Sequence, residues 1–423
     1  MPESTRGKPQ LIPERLVANL WRNRDCRRPL RLQDGRWLRV LYPGRPGGGP
    51  GPDFRDAVVQ MEGSPPIRGD VEVHRQAAGW TQHGHHRDQR YNNVVLHVVN
   101  RSSGGVPNYR QDGWALPVTE LPVEVPPLPD TPPNLTENGM ANATLPQLRS
   151  WRNLSQEQMG SLLDRAGERR FRLKSTRYRE QLDHADVEGL LYLGILEALG
   201  YSRNRKPFME LARRLPWQTL QDAVGSVPPA YREPAARHMM LRVAGLSRGT
   251  PIPAEETGFP PGSGWLGHAS PMDASAWCFA SIRPGNQPAV RIAGAAGLVG
   301  RYLDTGLLGG LVPLARGKSM AALSSALTVV DGRTTLIGRG RALDITVNVV
   351  LPLFHAWSLH KRDPALTGSC LRLFRAAPRL AENEITREMA FLLSGSSKHT
   401  PAGGAQRQQG LIHLYEVLLK DRR

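Results

Sequence analysis

Apolar residues recur at helical spacing from Ile12 to Asn23, where Ile12, Leu16 and Leu20 form a stripe widened by Val17 and Trp21. Pro13 suits a first helical turn. Period-two patterning then takes over. Arg36–Tyr42 and Phe54–Met61 read as strands, and Asp70–His74 follows after a Pro-rich turn. In that third strand Val71 and Val73 face one way, whereas Asp70, Glu72 and His74 face the other. Ala77–Arg90 is predicted helical, which places His83, His86 and Arg90 at roughly helical spacing. Asn93–Val99 is a nearly continuous apolar run, the pattern of a strand covered on both faces. The predicted order is therefore helix, three strands, helix, strand.

Beyond Asn100 the pattern changes. Trp114–Val125 is predicted as an edge strand, and Pro122–Leu145 is rich in Pro and Asn, as linkers are. From Ser155 helical periodicity dominates, with an apolar helix over Val187–Leu199 that Gly200 ends. Thr250–Gly264 is a second Pro/Gly-rich break. Arg283–Ile292 is predicted to cap the helix that follows, and Asp344 and Asn348 share a later helix face. The expected fold is α+β: a mixed-sheet domain over 1–125, a linker over 126–148, a helical domain over 149–250 and a helical region over 251–423. The last two are open to being one all-helical unit.

Composition narrows the functional classes. The 423 residues carry 55 Lys and Arg against 38 Asp and Glu, a formal charge of +17. That balance suits a polyanionic partner, nucleic acid first, though a basic bias across a whole proteome produces the same number. In the run Arg169–Arg179, Phe171 and Tyr178 interleave with basic residues, as on a phosphate-tracking surface or a solvated helix face. Three distant cysteines supply neither a disulfide framework nor a zinc knuckle and suit a reducing, cytoplasmic setting. The N-terminus lacks an apolar signal core. The most apolar runs are interrupted by Arg301 and Asp304, or by Asp344, Asn348 and Pro352, so no membrane span is expected. The Gly-rich loop after Tyr42 lacks a following GK[ST]. The single Gly317-Lys318-Ser319 has Val312 where a nucleotide-binding loop needs glycine. No nucleotide cofactor is expected.

The chemistry concentrates between Asp53 and His97, where five of the 12 histidines lie. Asp53 opens the second strand, and Glu72-Val73-His74 follows on the third. Glu14 lies at the edge of the first helix's inward face, either as a first-turn residue favoured by the helix dipole or as a paired carboxylate. His97 alone in an apolar strand reads as a hydrogen-bonded core residue.

The element order, with Pro52-Asp53 and Glu72-x-His74, resembles the PD-(D/E)XK nuclease core. That resemblance implies a divalent cation held by carboxylates of neighbouring strands, which polarises a phosphate and activates water. His74 departs from the usual lysine. An imidazole can serve there as base or ligand, and it favours Mn²⁺ over Mg²⁺.

Over nearly its full length the chain also resembles one bacterial family, domain-of-unknown-function family 2851. The residues carrying it include Pro13-Glu14, Gly51-Pro52-Asp53-Phe54, Gly69–His74, Trp80-x-x-His83-x-His85-x-x-Asp88-x-x-Tyr91-Asn92 and Leu96–Val99. Arg283-Pro284-x-Asn286-x-Pro288-x-x-Arg291-Ile292 and Gln408–His413 complete the set. This second resemblance implies no activity.

The resulting expectation is a metal-dependent nuclease acting on nucleic acid, DNA first. Asp53, Glu72 and His74 form the catalytic and metal-binding set, with Mg²⁺ or Mn²⁺ ahead of Zn²⁺. Glu14, Asp70, His83, His85 and His97 support them. The alternatives are a non-catalytic nucleic-acid-binding protein on the same fold, and a His-cluster metal hydrolase of a small molecule. Clustered carboxylates favour a hard cation, whereas three converging histidine nitrogens favour zinc.

Overall fold

A computed structural model describes residues 14–22, 24, 26, 28–47, 51–101, 107–121, 151, 154–247, 270–280, 282–317, 319–394 and 403–417. The chain divides into two compact units. One comprises Met1–Met159 with Glu384–Pro401 and Leu414–Arg423, and the other comprises Gly160–Asn383 with Ala402–His413. The 126–148 linker expected from sequence lies outside the described residues.

The first unit is built on a seven-stranded mixed sheet. Helix α1 (Glu14–Arg22) precedes strands β1 (Leu30–Arg31), β2 (Trp37–Tyr42), β3 (Arg45–Pro46), β4 (Phe54–Met61) and β5 (Ile67–Gln76). After helix α2 (Gly79–Gln82) come β6 (Val94–Arg101), β7 (Asn108–Tyr109), β8 (Ala115–Leu116) and β9 (Val118–Glu120). The strand order is β1-β2-β4-β5-β6-β9, with β3 also pairing with β4. β1, β2, β4 and β5 pair antiparallel, and β5, β6 and β9 pair parallel.

Residue chemistry explains these choices. In β2, Leu38 and Val40 are buried while Trp37, Arg39 and Leu41 are exposed, the alternation of a half-covered strand. β6 is buried on both faces, as its unbroken apolar run requires. Helix α1 packs on β5 and β6, burying Val17 and Trp21 against Val71, Val73, Leu96 and Val98. The Trp21 Nε1 proton is satisfied by Pro43 O at 2.9 Å.

The expected helix over 77–90 is corrected. Only Gly79–Gln82 is α-helical; Gly84 turns left-handed at φ 76°, and 3₁₀ turns follow at His85–Arg87 and Gln89–Tyr91. A glycine adopts that conformation without the Cβ clash that bars other residues, so the helix stops and the chain folds back. His83, His86 and Arg90 therefore share no helix face. The expected edge strand over 114–125 is instead the pair of short strands β8 and β9, within the described residues.

The second unit is mostly helical rather than all-helical: Val329–Asp331 and Thr334–Ile337 form an antiparallel hairpin. Helix α3 (Gln156–Leu182) carries the basic run Arg169–Arg179. Phe171 there is core, its ring tilted against that of Phe374 at 4.6 Å between centroids, and Tyr178 packs on the same core. Its aromatic residues thus support the fold and do not form a base-stacking platform. Helix α4 (Val187–Leu199) is capped by Asp186, whose carboxylate accepts from the Glu188 and Gly189 amides. Asn348 donates to Asp344 O one turn back and accepts from Lys174 Nζ, a half-buried polar tie between helices. Among the described residues, one helical stretch, Arg339–His360, has the length and apolarity to cross a membrane, and most of it is buried inside the protein.

Candidate functional site

The site forms where β5 meets its crossover to β6. Val71 and Val73 fill the core beneath, as the alternation demands, and Glu72 and His74 emerge on the opposite face, both buried. Asp53, at the entry to β4, is locked to β5 by two reciprocal bonds. Its amide donates to Glu72 Oε2 at 3.0 Å, and its Oδ2 accepts from the Val73 amide at 3.1 Å. The two carboxylates are thereby held as neighbours by backbone geometry rather than by a cation.

The crossover supplies the histidines. Gly79 packs directly over His74: a Cβ there would lie 2.7 to 3.0 Å from the His74 side chain, closer than side-chain atoms pack. The left-handed turn at Gly84 then returns His85 to the site, where its ring stacks on Tyr91 at 3.9 Å between centroids. His85 Nε2 faces Glu72 Oε1 at 3.1 Å, and His74 Nε2 lies 3.8 Å from the same oxygen. His74 Nε2 and His83 Nδ1 are 3.0 Å apart. One ligand atom from each of His74, His83 and His85 falls within 4.8 Å of the others.

Behind this cluster, His74 Nδ1 meets His97 Nε2 at 2.9 Å, and His97 Nδ1 meets Asn108 Nδ2 at 2.9 Å. Glu14 on α1 is half-buried, and burial raises its carboxyl pKa against the pull of His83 and Arg75. Asp70 does not join the group. It accepts from the Asp56 amide at 3.1 Å and lines a separate pocket. Sequence spacing did not single out Asn108, which sits on a two-residue strand far along the chain.

Electrostatics differ from what the residue types suggest. Burial, then the charge of Glu72, pushes the Asp53 carboxyl up to about 7. Burial pulls His74 down to about 2, aided by His97, His85 and His83. His97 falls to about 3, again through burial first. Both rings are neutral at every physiological pH, the form in which imidazole ligates metals.

The donor set fits a divalent ion. Ligands about 2.0–2.1 Å from a tetrahedral ion lie about 3.3 Å from one another. Three separations among these donors, 3.0, 3.1 and 3.8 Å, lie near that value, and the three histidine nitrogens all fall within 4.8 Å of one another. His85 Nε2 is buried, and although Glu72 Oε1 lies 3.1 Å away it makes no hydrogen bond of good geometry among the described residues, so a hydrogen bond does not commit this nitrogen.

A family model described as "Protein of unknown function (DUF2851)" matches residues 14–307. The chain belongs to this family. The match includes every residue of the cluster, from Glu14 through Asn108. No curated protein and no solved structure matches the chain.

Proposed function

We propose that this DUF2851 protein is a metal-dependent phosphodiesterase that cleaves nucleic acid. The observation carrying the reading is the convergence of three histidine nitrogens, with Glu72 Oε1 close to those of His85 and His74 and Asp53 tied alongside by two backbone hydrogen bonds. The reading is supported by the element order, a helix, antiparallel strands, a crossover and a parallel strand, with Asp53 at the entry to one strand and Glu72 on its neighbour, which is similar to the arrangement of the acidic pair in the PD-(D/E)XK pattern. Glu72, His74, His83 and His85 would hold the ion. The imidazole-rich set favours Mn²⁺ or Zn²⁺ over Mg²⁺, which takes oxygen ligands. Bound there, a divalent cation polarises a phosphate oxygen and lowers the pKa of water.

The protein's own groups do the rest. Asp53 is solvent-exposed as a residue, but its carboxyl accepts from the Val73 amide. Burial of that carboxyl, beside Glu72, raises its pKa toward neutrality, which suits it to take a proton from attacking water. At saturating metal, kcat/KM should rise with pH to an inflection at or below 7, because a nearby cation lowers a carboxyl's pKa. Asp53→Asn should lose that inflection and about 10²–10⁴-fold in rate. An unchanged pH profile in the variant would remove Asp53 from proton transfer.

A pocket of about 410 Å³ beside Pro52 is lined by Arg45, Arg55, Arg90, Asp56, Asp70 and Asn93. Arg45 pairs with Asp56 and Arg90 with Asp88. Arg55 makes no hydrogen bond among the described residues, so it is the cation best placed for a phosphate. Arg55→Ala should weaken DNA binding about equally for all sequences and reduce the salt slope by about one. Fluorescence anisotropy across a salt series measures both.

The same imidazole content favours one second reading, a metal hydrolase of a small phosphoester. Incubating the protein with supercoiled plasmid, and separately with bis(p-nitrophenyl) phosphate, under Mn²⁺, Zn²⁺, Mg²⁺ or EDTA separates the readings. Metal-dependent nicking of plasmid supports the nuclease. Turnover of the small ester with intact plasmid supports the second reading, and neither product sinks both.

A further inference from the structure

The chain Asn108–His97–His74–His83 has a direction that its own geometry fixes. Asn108 Nδ2 lies 3.2 Å from Ala77 O and 2.9 Å from His97 Nδ1. A backbone carbonyl only accepts, so the amide nitrogen, not its oxygen, must face that side. An amide NH₂ has two hydrogens; one goes to Ala77 O and the other to His97 Nδ1. His97 Nδ1 is therefore the acceptor and its hydrogen sits on Nε2. That hydrogen points at His74 Nδ1, 2.9 Å away, which leaves the His74 hydrogen on Nε2, donated to His83 Nδ1 at 3.0 Å. His97 and His74 are almost fully buried, so water cannot reset the order.

A metal at His74 Nε2 needs a lone pair on that atom. Shifting the His74 hydrogen to Nδ1 forces the His97 hydrogen onto its own Nδ1, where it meets the Asn108 amide hydrogen head-on. Metal-binding histidines normally pass their other N–H to a carboxylate or carbonyl; here the chain ends on a donor.

We propose that Asn108 is a positioning residue that sets the tautomers of His97 and His74 and thereby weakens metal binding at His74. It holds the site in a state that loads metal at His74 only by reversing the His97–His74 hydrogen bond and giving up the Asn108–His97 and His74–His83 bonds. A carboxylate at position 108 would accept from His97 Nδ1 and turn the chain toward the ion. The affinity half of this proposal rests on the metal reading above, whereas the tautomer half does not.

The test uses the full chain, labelled with ¹⁵N histidine. In the metal-free wild type, long-range ¹H–¹⁵N spectra should show hydrogen on Nε2 and a bare Nδ1 for both His97 and His74. Asn108→Asp should move both hydrogens to Nδ1 and tighten Mn²⁺ and Zn²⁺ binding about 10-fold or more by calorimetry. Asn108→Ala, which removes the donor without adding an acceptor, should tighten it less, and it replaces the Asp variant if that fails to fold. Wild-type hydrogen on His97 Nδ1 overturns the proposal. So does a folded Asn108→Asp protein with switched tautomers and unchanged affinity. If neither wild type nor variants bind metal while the tautomers are as stated, the metal reading and the affinity half fail together and the tautomer half stands.

Discussion

Glu72→Gln is expected to abolish phosphodiester cleavage, by about 10²–10⁴-fold, while leaving the metal-free fold intact. The range follows from the several kcal/mol that a bound cation contributes to charge stabilisation in the transition state. The amide preserves one function of Glu72, accepting the Asp53 N–H at 3.0 Å, so the β4–β5 junction survives. It removes the other, the charge facing His85 Nε2 at 3.1 Å. Stability should respond in a definite direction. The Asp53 carboxyl titrates near 7 in the folded protein, above its unfolded value near 3.9. Its charged form therefore costs stability, and that cost builds as pH rises from about 4 and is complete above about 7. Removing the Glu72 charge reduces it, so metal-free Glu72→Gln should melt at or above the wild type at pH 8. The gain should shrink at pH 5, where Asp53 is protonated in the folded state. Thermal melts at both values decide this, and a large fall in melting temperature would make Glu72 a structural residue.

The second large effect belongs to His74, which is 1% exposed. His74→Ala opens a void beneath Gly79 and leaves His97 Nε2–H without its acceptor. Both losses are of the kind that costs about 2–5 kcal/mol. Cleavage should fall by at least about 10²-fold, with metal affinity falling in parallel. His74→Lys, which the nuclease pattern would suggest as a restoration, should also destabilise the protein. An ammonium in that space sits among His83, His85 and His97, of which only His83 is open to solvent. Urea melts of both variants at pH 7 check the order, with neither more stable than wild type. A Lys variant of wild-type stability and activity would show that the space around His74 is more open than its packing indicates.

Strand alternation made much of this site legible. Val71 and Val73 against Glu72 and His74 is a period-two pattern, and such a pattern survives folding because one face must enter the core. Asp70 obeyed the same alternation and still left the site. The register between β5 and β6 shifts at Asp70/Val71, and the left-handed Asp56 in the β4 bulge offers its amide to the Asp70 carboxylate. Bulges obey turn-level chemistry that periodicity does not register. The crossover shows the opposite case. His83 and His85 converge with His74 because Gly84 breaks the helix, so the helical spacing that first drew attention to this stretch was not what assembled it. Asn108 was illegible for a third reason: its partners, Ala77 and His97, are brought to it by the sheet and not by any local pattern.

The central claim is a mixed carboxylate–imidazole metal centre at Glu72 and the crossover histidines. Electron spin-echo spectroscopy of Mn²⁺ added to the purified protein tests it most directly. The account predicts one Mn²⁺ per chain with nitrogen coupling from imidazole, with that coupling altered in His85→Ala and the ion lost in Glu72→Gln. Mn²⁺ bound without any nitrogen coupling, or bound equally well by Glu72→Gln, would contradict it.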